Sequence, residues 1–219
     1  MQDEKCFEQG LALVEPERRE RIEKSSQEKS RMLGLAAGLL AGYSATEAAE
    51  TPKTLKTSEA FSGKKETPEW IWVTAEVVIK RLLTLPPARI EKTSAGKPYF
   101  ADKQGLFLSL SHSGEYAVCA VSDVPVGVDI QKCLDGKRNI LKRIMCPGEE
   151  GADLFRLWTA KEACVKCTGA GLSKDFRELF TDFENGELKD TVTGECWRLY
   201  TAKEPAGYAL AICTVPGQD

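Results

Sequence analysis

The clearest pattern of apolar and polar positions runs from residue 106 to residue 131. Apolar residues alternate with others over 106–111, form a continuous run over 116–121 and alternate again over 126–131. Ser113-Gly114 and the segment 122–125 supply turn residues between these stretches. A period of two residues with close-set turns predicts three strands in an antiparallel meander.

Helical periodicity dominates elsewhere in the first two thirds of the chain. A charged helix is expected to begin at Pro16, and residues 31–50 predict a buried helix whose glycines at 34, 38 and 42 allow close packing. Further helices are predicted over 70–85 and 153–167. Residues 1–15 predict a short strand or an irregular entry.

The remaining segments complete an α+β prediction. Residues 51–68 are polar and bounded by Pro, which predicts a loop, and residues 134–145 predict a basic amphipathic helix. The tail carries short alternating stretches separated by Asn185-Gly186 and Thr193-Gly194, which predict hairpins. Helices followed by strands in each half indicate antiparallel sheets packed with helices, not a doubly wound α/β sheet.

Composition narrows the class of protein. The chain has 219 residues, 42% apolar and 29% charged, with a net charge of −3, which predicts an ordinary globular protein without a general nucleic-acid footprint. No secretory signal or long apolar span is apparent, so we expect a cytoplasmic protein that does not bind a membrane. The eight scattered cysteines are expected to be reduced, and the Cys164–Cys167 pair lacks the partners of a zinc or redox site.

Candidate chemistry lies in two of these elements. Asp129 and Gln131 share one face of the third strand of the meander, and the only histidine, His112, ends the first strand. Trp158, Glu162 and Lys166 fall at i, i+4 spacing on one stripe of the 153–167 helix. Alone, Glu162 and Lys166 are more typical of a surface ion pair, whereas together with Asp129 and His112 they favour a site for a metal and a phosphate.

Arginines supply a second feature with two interpretations. Arg18, Arg21 and Arg31 lie in or near the charged helix that begins at Pro16. They are typical of a solvated helix surface. Because guanidinium groups match phosphate geometry, the same residues could also present cations to an anionic ligand.

Several short motifs follow one another along the chain: Gly96-Lys97-Pro98, Ser111-His112-Ser113, Gly127-Val128-Asp129-Ile130-Gln131, Glu149, Trp158-Thr159-Ala160-Lys161-Glu162-Ala163 and Gly169-Ala170-Gly171-Leu172. In this order and spacing they resemble the 4′-phosphopantetheinyl transferases, specifically the monomeric double-length branch. The resemblance covers residues 96–172 well and extends loosely to residues 16–41. It implies two similar α+β halves related by pseudo-twofold symmetry, residues 1–112 and residues 113–219, with the metal site in the second.

The resemblance also implies an activity. The enzyme would move the 4′-phosphopantetheine arm of coenzyme A onto a serine of an apo acyl, peptidyl or aryl carrier protein and release 3′,5′-ADP with the help of Mg²⁺. Its partners would be coenzyme A and the carrier protein, with no nucleic acid or membrane, and the enzyme would be a monomer.

Site residues follow from the resemblance, position by position. Asp129, Glu162 and Gln131 would form the metal site, Lys166 would bind a phosphate oxygen near Lys161, and Glu162 would be the general base, with Glu149 second. The remaining expected coenzyme A contacts are Ser111, His112, Gly96, Lys97, Pro98, Arg18, Arg21 and Arg31.

One position departs from the family pattern, because Gln131 stands where the family usually has an acid. The expectation is therefore a metal held by two carboxylates, with a water at the third position. A coenzyme A binding module without transferase activity is the alternative that this departure supports. A Mg²⁺-dependent phosphohydrolase is a third, less favoured interpretation.

Overall fold

A computed structural model describes residues 2–50, 71, 73–84, 88–94, 96–134, 142–171, 174–202 and 205–216. Its helices are α1 (Gln2–Leu11), α2 (Pro16–Lys24), α3 (Glu28–Glu50), α4 (Ala75–Leu82) and α5 (Leu154–Thr168). Its strands are β1 (Ile90–Lys92), β2 (Pro98–Phe100), β3 (Phe107–Ser113), β4 (Tyr116–Ser122), β5 (Val126–Lys132), β6 (Leu179–Asp182), β7 (Glu187–Asp190), β8 (Cys196–Ala202) and β9 (Tyr208–Thr214). The predicted α+β class is confirmed.

The strands form three antiparallel arrangements. β1 pairs with β2, β3 pairs with β4, and five strands form one sheet in the order β5-β9-β8-β7-β6. The meander prediction was therefore wrong in its last strand, because β5 leaves the β3–β4 hairpin and pairs with β9. The reason is burial, since Val128 and Ile130 face the apolar residues Leu210 and Ile212 of β9 in one core cluster.

Although they belong to different sheets, β3 and β5 are joined by side chains. The hydroxyl oxygens of Ser109, Ser111 and Ser113 accept hydrogen bonds from the backbone N–H groups of β5 at residues 128, 130 and 132. We call this row of contacts the serine seam. The sequence-based division after residue 112 falls inside β3, whereas the change of sheet occurs between β4 and β5. The pseudo-twofold relation between halves stays a prediction.

Helix α5 is the central helix of the second half. It packs against β5 and β9, with Ala160, Ala163 and Cys164 in the buried face. A glycine is required at position 127, because a Cβ there would overlap the Ala163 carbonyl and the backbone of Cys167. Asp153 caps the first turn through the N–H groups of residues 155 and 156, and Gly169 ends the helix in the left-handed conformation.

The N-terminal helices pack around α3. Helix α2 begins with Pro16 in its first turn, as predicted. The close packing predicted for the glycines of α3 is also present, since a Cβ at Gly38 would overlap Arg18 and Val14. The prediction of a strand or irregular entry at residues 1–15 was wrong, because residues 2–11 form α1, which packs on α3.

Two further predictions fall wholly or mostly on segments outside the described residues. The loop predicted at 51–68 lies outside the described residues, as does most of the basic helix predicted over 134–145. Within that segment, residues 142–144 form a single turn of 3-10 helix. Among the described helices, none is both long and apolar enough to cross a membrane.

Candidate active site

The site is centred on Asp129, a buried carboxylate near the middle of β5. The residue is 1% exposed, and its carboxylate accepts three hydrogen bonds. Oδ1 accepts from Ser111 Oγ at 2.6 Å and from Lys166 Nζ at 2.7 Å, while Oδ2 accepts from Gln131 Nε2 at 3.0 Å. Strand alternation explains the placement, because Asp129 and Gln131 point away from the face that buries Val128 and Ile130.

Helix α5 brings the second half of the site. Trp158, Glu162 and Lys166 are half-buried on the side of α5 opposite its fully buried residues, as the i, i+4 spacing predicted. Trp158 packs edge-on against Phe176, with ring centroids 5.4 Å apart. The stripe therefore presents one carboxylate and one ammonium group toward β5.

The structure brings Glu162 and Asp129 into one electrostatic group. Partial burial raises the pKa of Glu162, the Asp129 charge raises it further, and Lys166 opposes these effects. Two carboxylates and one ammonium leave this group with a net negative charge. That imbalance is the environment that a divalent cation would relieve.

The residues present fit a magnesium site of limited protein coordination. Asp129 and Glu162 supply carboxylate oxygens, and Gln131 carries an amide oxygen on the same strand. Mg²⁺ is commonly bound by one or two carboxylates, with waters and substrate phosphates completing six oxygens. Among the described residues there is no cluster of three or more His, Cys, Asp or Glu side chains arranged to hold a metal. A site of two carboxylates and an amide agrees with that finding.

Cationic groups flank the carboxylates. Partial burial lowers the pKa of His112, and the charges of Lys166 and Arg18 lower it further, so these three side chains lie near one another. Arg18 donates to the Gly34 carbonyl at 3.3 Å and lies 3.5 Å from a Glu15 carboxylate oxygen. Desolvation lowers the pKa of Arg18. An anionic ligand at His112 would meet several positive charges.

The structure adds a cation that the sequence analysis missed. Desolvation lowers the pKa of Lys92 on β1, and the nearby Arg21 and Arg18 charges lower it further. Lys92 therefore joins the positive group formed by α2. The only sequence signal was its position five residues before Lys97, which no motif distinguishes.

Two other predicted coenzyme A contacts have partners within the protein. The Arg31 guanidinium lies over the Phe7 ring, 5.0 Å from its centroid, and so packs α1 on α3. Lys97 Nζ donates to the Cys167 carbonyl in the last turn of α5, at 2.7 Å. Gly96 has a positive φ in the β1–β2 turn and Pro98 begins β2, so this motif lies beside the end of α5.

Glu149 and Lys161 are brought together, but in a different arrangement from the one expected. Lys161 Nζ donates to Glu149 Oε2 at 2.7 Å and to the carbonyls of Ile144 and Phe176. Glu149 also accepts the N–H groups of Cys146 and Thr181. All three Lys161 donors are used inside the protein, which leaves none for a phosphate. The pair is a structural ion pair in this conformation.

Comparison with known proteins agrees with the geometry. Residues 125–213 match the family model of the 4′-phosphopantetheinyl transferase superfamily. A 4′-phosphopantetheinyl transferase from Bacillus subtilis is 34% identical over 134 residues, which cover 54% of this chain and 59% of the relative. The transferase psf-1 of Bacillus pumilus is 34% identical over 155 residues, covering 63% and 66%. Sfp of Bacillus subtilis (strain 168) is 29% identical over 141 residues, covering 57% and 62%.

The chain thus spans roughly three fifths to two thirds of the length of these curated relatives. The matched family segment contains β5, α5 and the four strands that follow, and therefore contains Asp129, Gln131, Glu162 and Lys166. Over residues 125–213, which hold these four side chains, this chain is similar to the 4′-phosphopantetheinyl transferase superfamily, and the proteins it matches include transferases of the Sfp type.

Proposed function

We propose that this protein transfers the 4′-phosphopantetheine arm of coenzyme A to a serine of an apo carrier protein. The observation that carries the proposal is the single group formed by Asp129 on β5 with Glu162 and Lys166 on α5. In the transfer, the serine Oγ forms a bond to the β-phosphorus of coenzyme A. The bond from that phosphorus to the bridging oxygen breaks, and 3′,5′-ADP leaves.

The negative side of the group is suited to a metal. Asp129 and Glu162, with the amide oxygen of Gln131, would hold Mg²⁺. When bound, Mg²⁺ supplies positive charge that offsets the charge of the coenzyme A pyrophosphate. The protein side chains then act chiefly by fixing the positions of the reacting atoms.

We assign the proton acceptor to Glu162. In the metal-free protein its pKa is raised by partial burial and by Asp129, and it lies one helical turn before Lys166, the residue proposed to bind phosphate. Glu149, the second candidate, already accepts from Lys161 and from two backbone N–H groups. Its hydrogen bonds therefore support a structural role.

We assign the 3′-phosphate of coenzyme A to the cationic group. His112, Arg18, Arg21 and Lys92 gather around β1, α2 and the end of β3, and their mutual repulsion contributes to the lowered pKa values of His112 and Lys92. A phosphate dianion would relieve that repulsion. Lys166 would contact the pyrophosphate from the opposite side.

The test is a mass measurement on an apo carrier protein incubated with this protein, coenzyme A and Mg²⁺. We expect the carrier to gain one phosphopantetheine group and 3′,5′-ADP to appear in equal amount. Asp129→Asn should reduce the rate about 10²- to 10³-fold, as expected for loss of a key electrostatic group. Glu184→Gln, in the exposed β6–β7 turn, is the matched control and should keep the rate.

Two results would favour other functions. Thermal stabilisation by coenzyme A without modification of any carrier in a panel would support the binding module. Release of phosphate or 3′,5′-ADP without a protein acceptor would support a phosphohydrolase.

A further inference from the structure

The serine seam contains one serine that differs from the other two. Ser109 and Ser113 accept backbone N–H groups of β5 at 3.0 Å. Ser111 occupies the same position in the row, accepting from Ile130 N at 3.4 Å, and its hydroxyl also donates to Asp129 Oδ1 at 2.6 Å. Ser111 is therefore the member of the seam that links β3 both to the backbone of β5 and to its carboxylate.

That second bond is short and buried. Ser111 is 7% exposed and Asp129 is 1% exposed. A hydroxyl donating to a carboxylate at this distance is a charge-assisted hydrogen bond, which is stronger than a neutral one. Because serine has a single side-chain torsion before its oxygen and sits on a paired strand, it fixes the carboxylate with little loss of side-chain entropy.

The other donor to Oδ1 is less constrained. Lys166 reaches Asp129 through a long side chain that remains 30% exposed. In the proposed reaction Lys166 also contacts a phosphate oxygen, so its hydrogen bond to Asp129 weakens when coenzyme A binds. Ser111 then remains as the donor that holds Oδ1, while Oδ2 stays on the side of Gln131.

We propose that Ser111 is a positioning residue that fixes the orientation of the Asp129 carboxylate for metal binding. The proposal rests on the proposed function, and it differs from the expected phosphate contact of Ser111, since the hydroxyl proton is used by Asp129. It follows that the metal site is built across the two sheets: β5 carries the carboxylate, and β3 sets its orientation.

The test compares Ser111→Ala with Ser109→Ala. Each variant loses one buried acceptor for a β5 N–H group, but Ser111→Ala alone loses the donor to Asp129. Binding of Mn²⁺, used as a paramagnetic substitute for Mg²⁺, is measured by electron paramagnetic resonance with coenzyme A present. Loss of a hydrogen bond that orients a metal ligand commonly costs 10- to 100-fold in affinity, so we expect about that loss for Ser111→Ala and less than about threefold for Ser109→Ala.

Kinetics supply a second readout. Ser111→Ala should raise the Mg²⁺ concentration needed for half-maximal transfer while keeping most of the rate at saturating Mg²⁺, because the ligand itself is still present. Ser111→Thr keeps the hydroxyl and should recover most of the Mn²⁺ affinity. A purely structural role would instead lower the melting temperature of both alanine variants without separating their metal affinities.

Should the alanine variants fail to fold, Ser111→Cys and Ser109→Cys keep the side-chain volume and replace the hydroxyl by a weak donor. The inference would be overturned if the Ser111 and Ser109 variants, compared as alanine or as cysteine, bound Mn²⁺ equally well. If the wild-type protein still modified the carrier, the proposed function would stand. If the wild-type protein bound no Mn²⁺ and modified no carrier, the proposed function would fail, and the inference with it.

Discussion

Helix α5 carries two lysine–carboxylate pairs of the same length and opposite character. Lys161 pairs with Glu149 at 2.7 Å, and Lys166 pairs with Asp129 at 2.7 Å. Both carboxylates are almost fully buried. What separates the pairs is the surroundings of the lysine, and this difference indicates which pair belongs to the site.

The Lys161 pair is closed. The lysine side chain is 0% exposed, its three hydrogens go to Glu149 and two carbonyls, and Glu149 is held by backbone N–H groups. These contacts join α5 to the residue 146–149 turn and to the 3-10 turn before β6. With every donor used and no exposed atom, the pair can stabilise the fold but cannot exchange partners easily.

The Lys166 pair is open. Its lysine is 30% exposed and lies near the half-buried Glu162. The second carboxylate near Lys161, Asp175, instead has a side chain that is 39% exposed and is paired with Arg177. A second carboxylate at the exposed pair creates an excess of negative charge, and a solvent-accessible ammonium can move to a phosphate. Distance alone therefore does not identify a functional ion pair, whereas charge balance and access distinguish the two.

The largest expected effect is on stability, from Lys161→Met. Removing one partner of a buried ion pair leaves the other charge uncompensated, so we expect the free energy of unfolding to fall by about 3–5 kcal/mol. Urea denaturation followed by circular dichroism measures the change. Adding Glu149→Gln should recover part of the loss, because the unpaired charge is then absent.

A matched control for this prediction is Lys24→Met. Lys24 pairs with Glu20 at 2.6 Å on the exposed surface of α2. Exposed pairs contribute little, so we expect a change below about 0.5 kcal/mol. Equal losses for Lys161→Met and Lys24→Met would contradict the structural assignment of the buried pair.

The sequence predicted where the residues of the open pair, Lys166 and Asp129, would lie. It did not predict the closed pair of Lys161 and Glu149. The i, i+4 stripe of Trp158, Glu162 and Lys166 follows from helical geometry alone, and Asp129 follows from strand alternation. Lys161 was expected beside the phosphate-binding Lys166 only because the family resemblance implied it. Successive residues of a helix are rotated by about 100°, however, and that rotation turns Lys161 into the core.

Pairing between strands that are distant in the sequence also limited what the sequence could predict. Local alternation found β5, but its partner β9 lies about 80 residues later, and no local pattern specifies that pairing. The serine seam has the same origin, since serines on β3 meet β5 only once β5 has left the hairpin. Helix α1 was missed because few apolar residues, chiefly Cys6, Phe7 and Leu11, mark its buried side.

The next largest effect is on activity, from Lys166→Met. We expect transfer to slow about 10²- to 10³-fold, because the group proposed to bind phosphate charge is lost. The free energy of unfolding should fall by only about 1–2 kcal/mol, because Ser111 and Gln131 still donate hydrogen bonds to Asp129. Mass measurement of carrier modification and urea denaturation give the two values.

The same variant should bind metal more tightly when coenzyme A is absent. In the free protein the Lys166 ammonium donates a hydrogen bond to Asp129 Oδ1 and so competes with a metal for that oxygen. Its removal should therefore raise Mn²⁺ affinity about tenfold, a change of about 1.4 kcal/mol. Lys132→Met removes a charge from the same strand as Asp129 and is the control. An equal or weaker affinity in Lys166→Met would show that the ammonium does not compete with the metal.

The smallest expected effect is a pH dependence of coenzyme A binding through His112. Burial, Lys166 on α5 and Arg18 on α2 lower the pKa of His112, against a smaller opposing effect of Asp129 on β5. The imidazole is therefore largely neutral at pH 7, and a bound 3′-phosphate would favour the charged form and raise its pKa. Binding should take up a proton between these two pKa values, so affinity should fall as pH rises through that window.

Calorimetry in two buffers of different ionisation enthalpy measures the proton uptake directly. We expect the coenzyme A affinity to fall about threefold from pH 6.5 to pH 7.5, well within the tenfold limit for one proton per pH unit. Dephospho-coenzyme A should show no such fall, and His112→Gln should remove it for coenzyme A. An identical pH dependence for both ligands would instead place the 3′-phosphate away from His112. Such a result would assign the titration to the open ion pair, because Lys166 and the two carboxylates are proposed to meet the pyrophosphate that both ligands share.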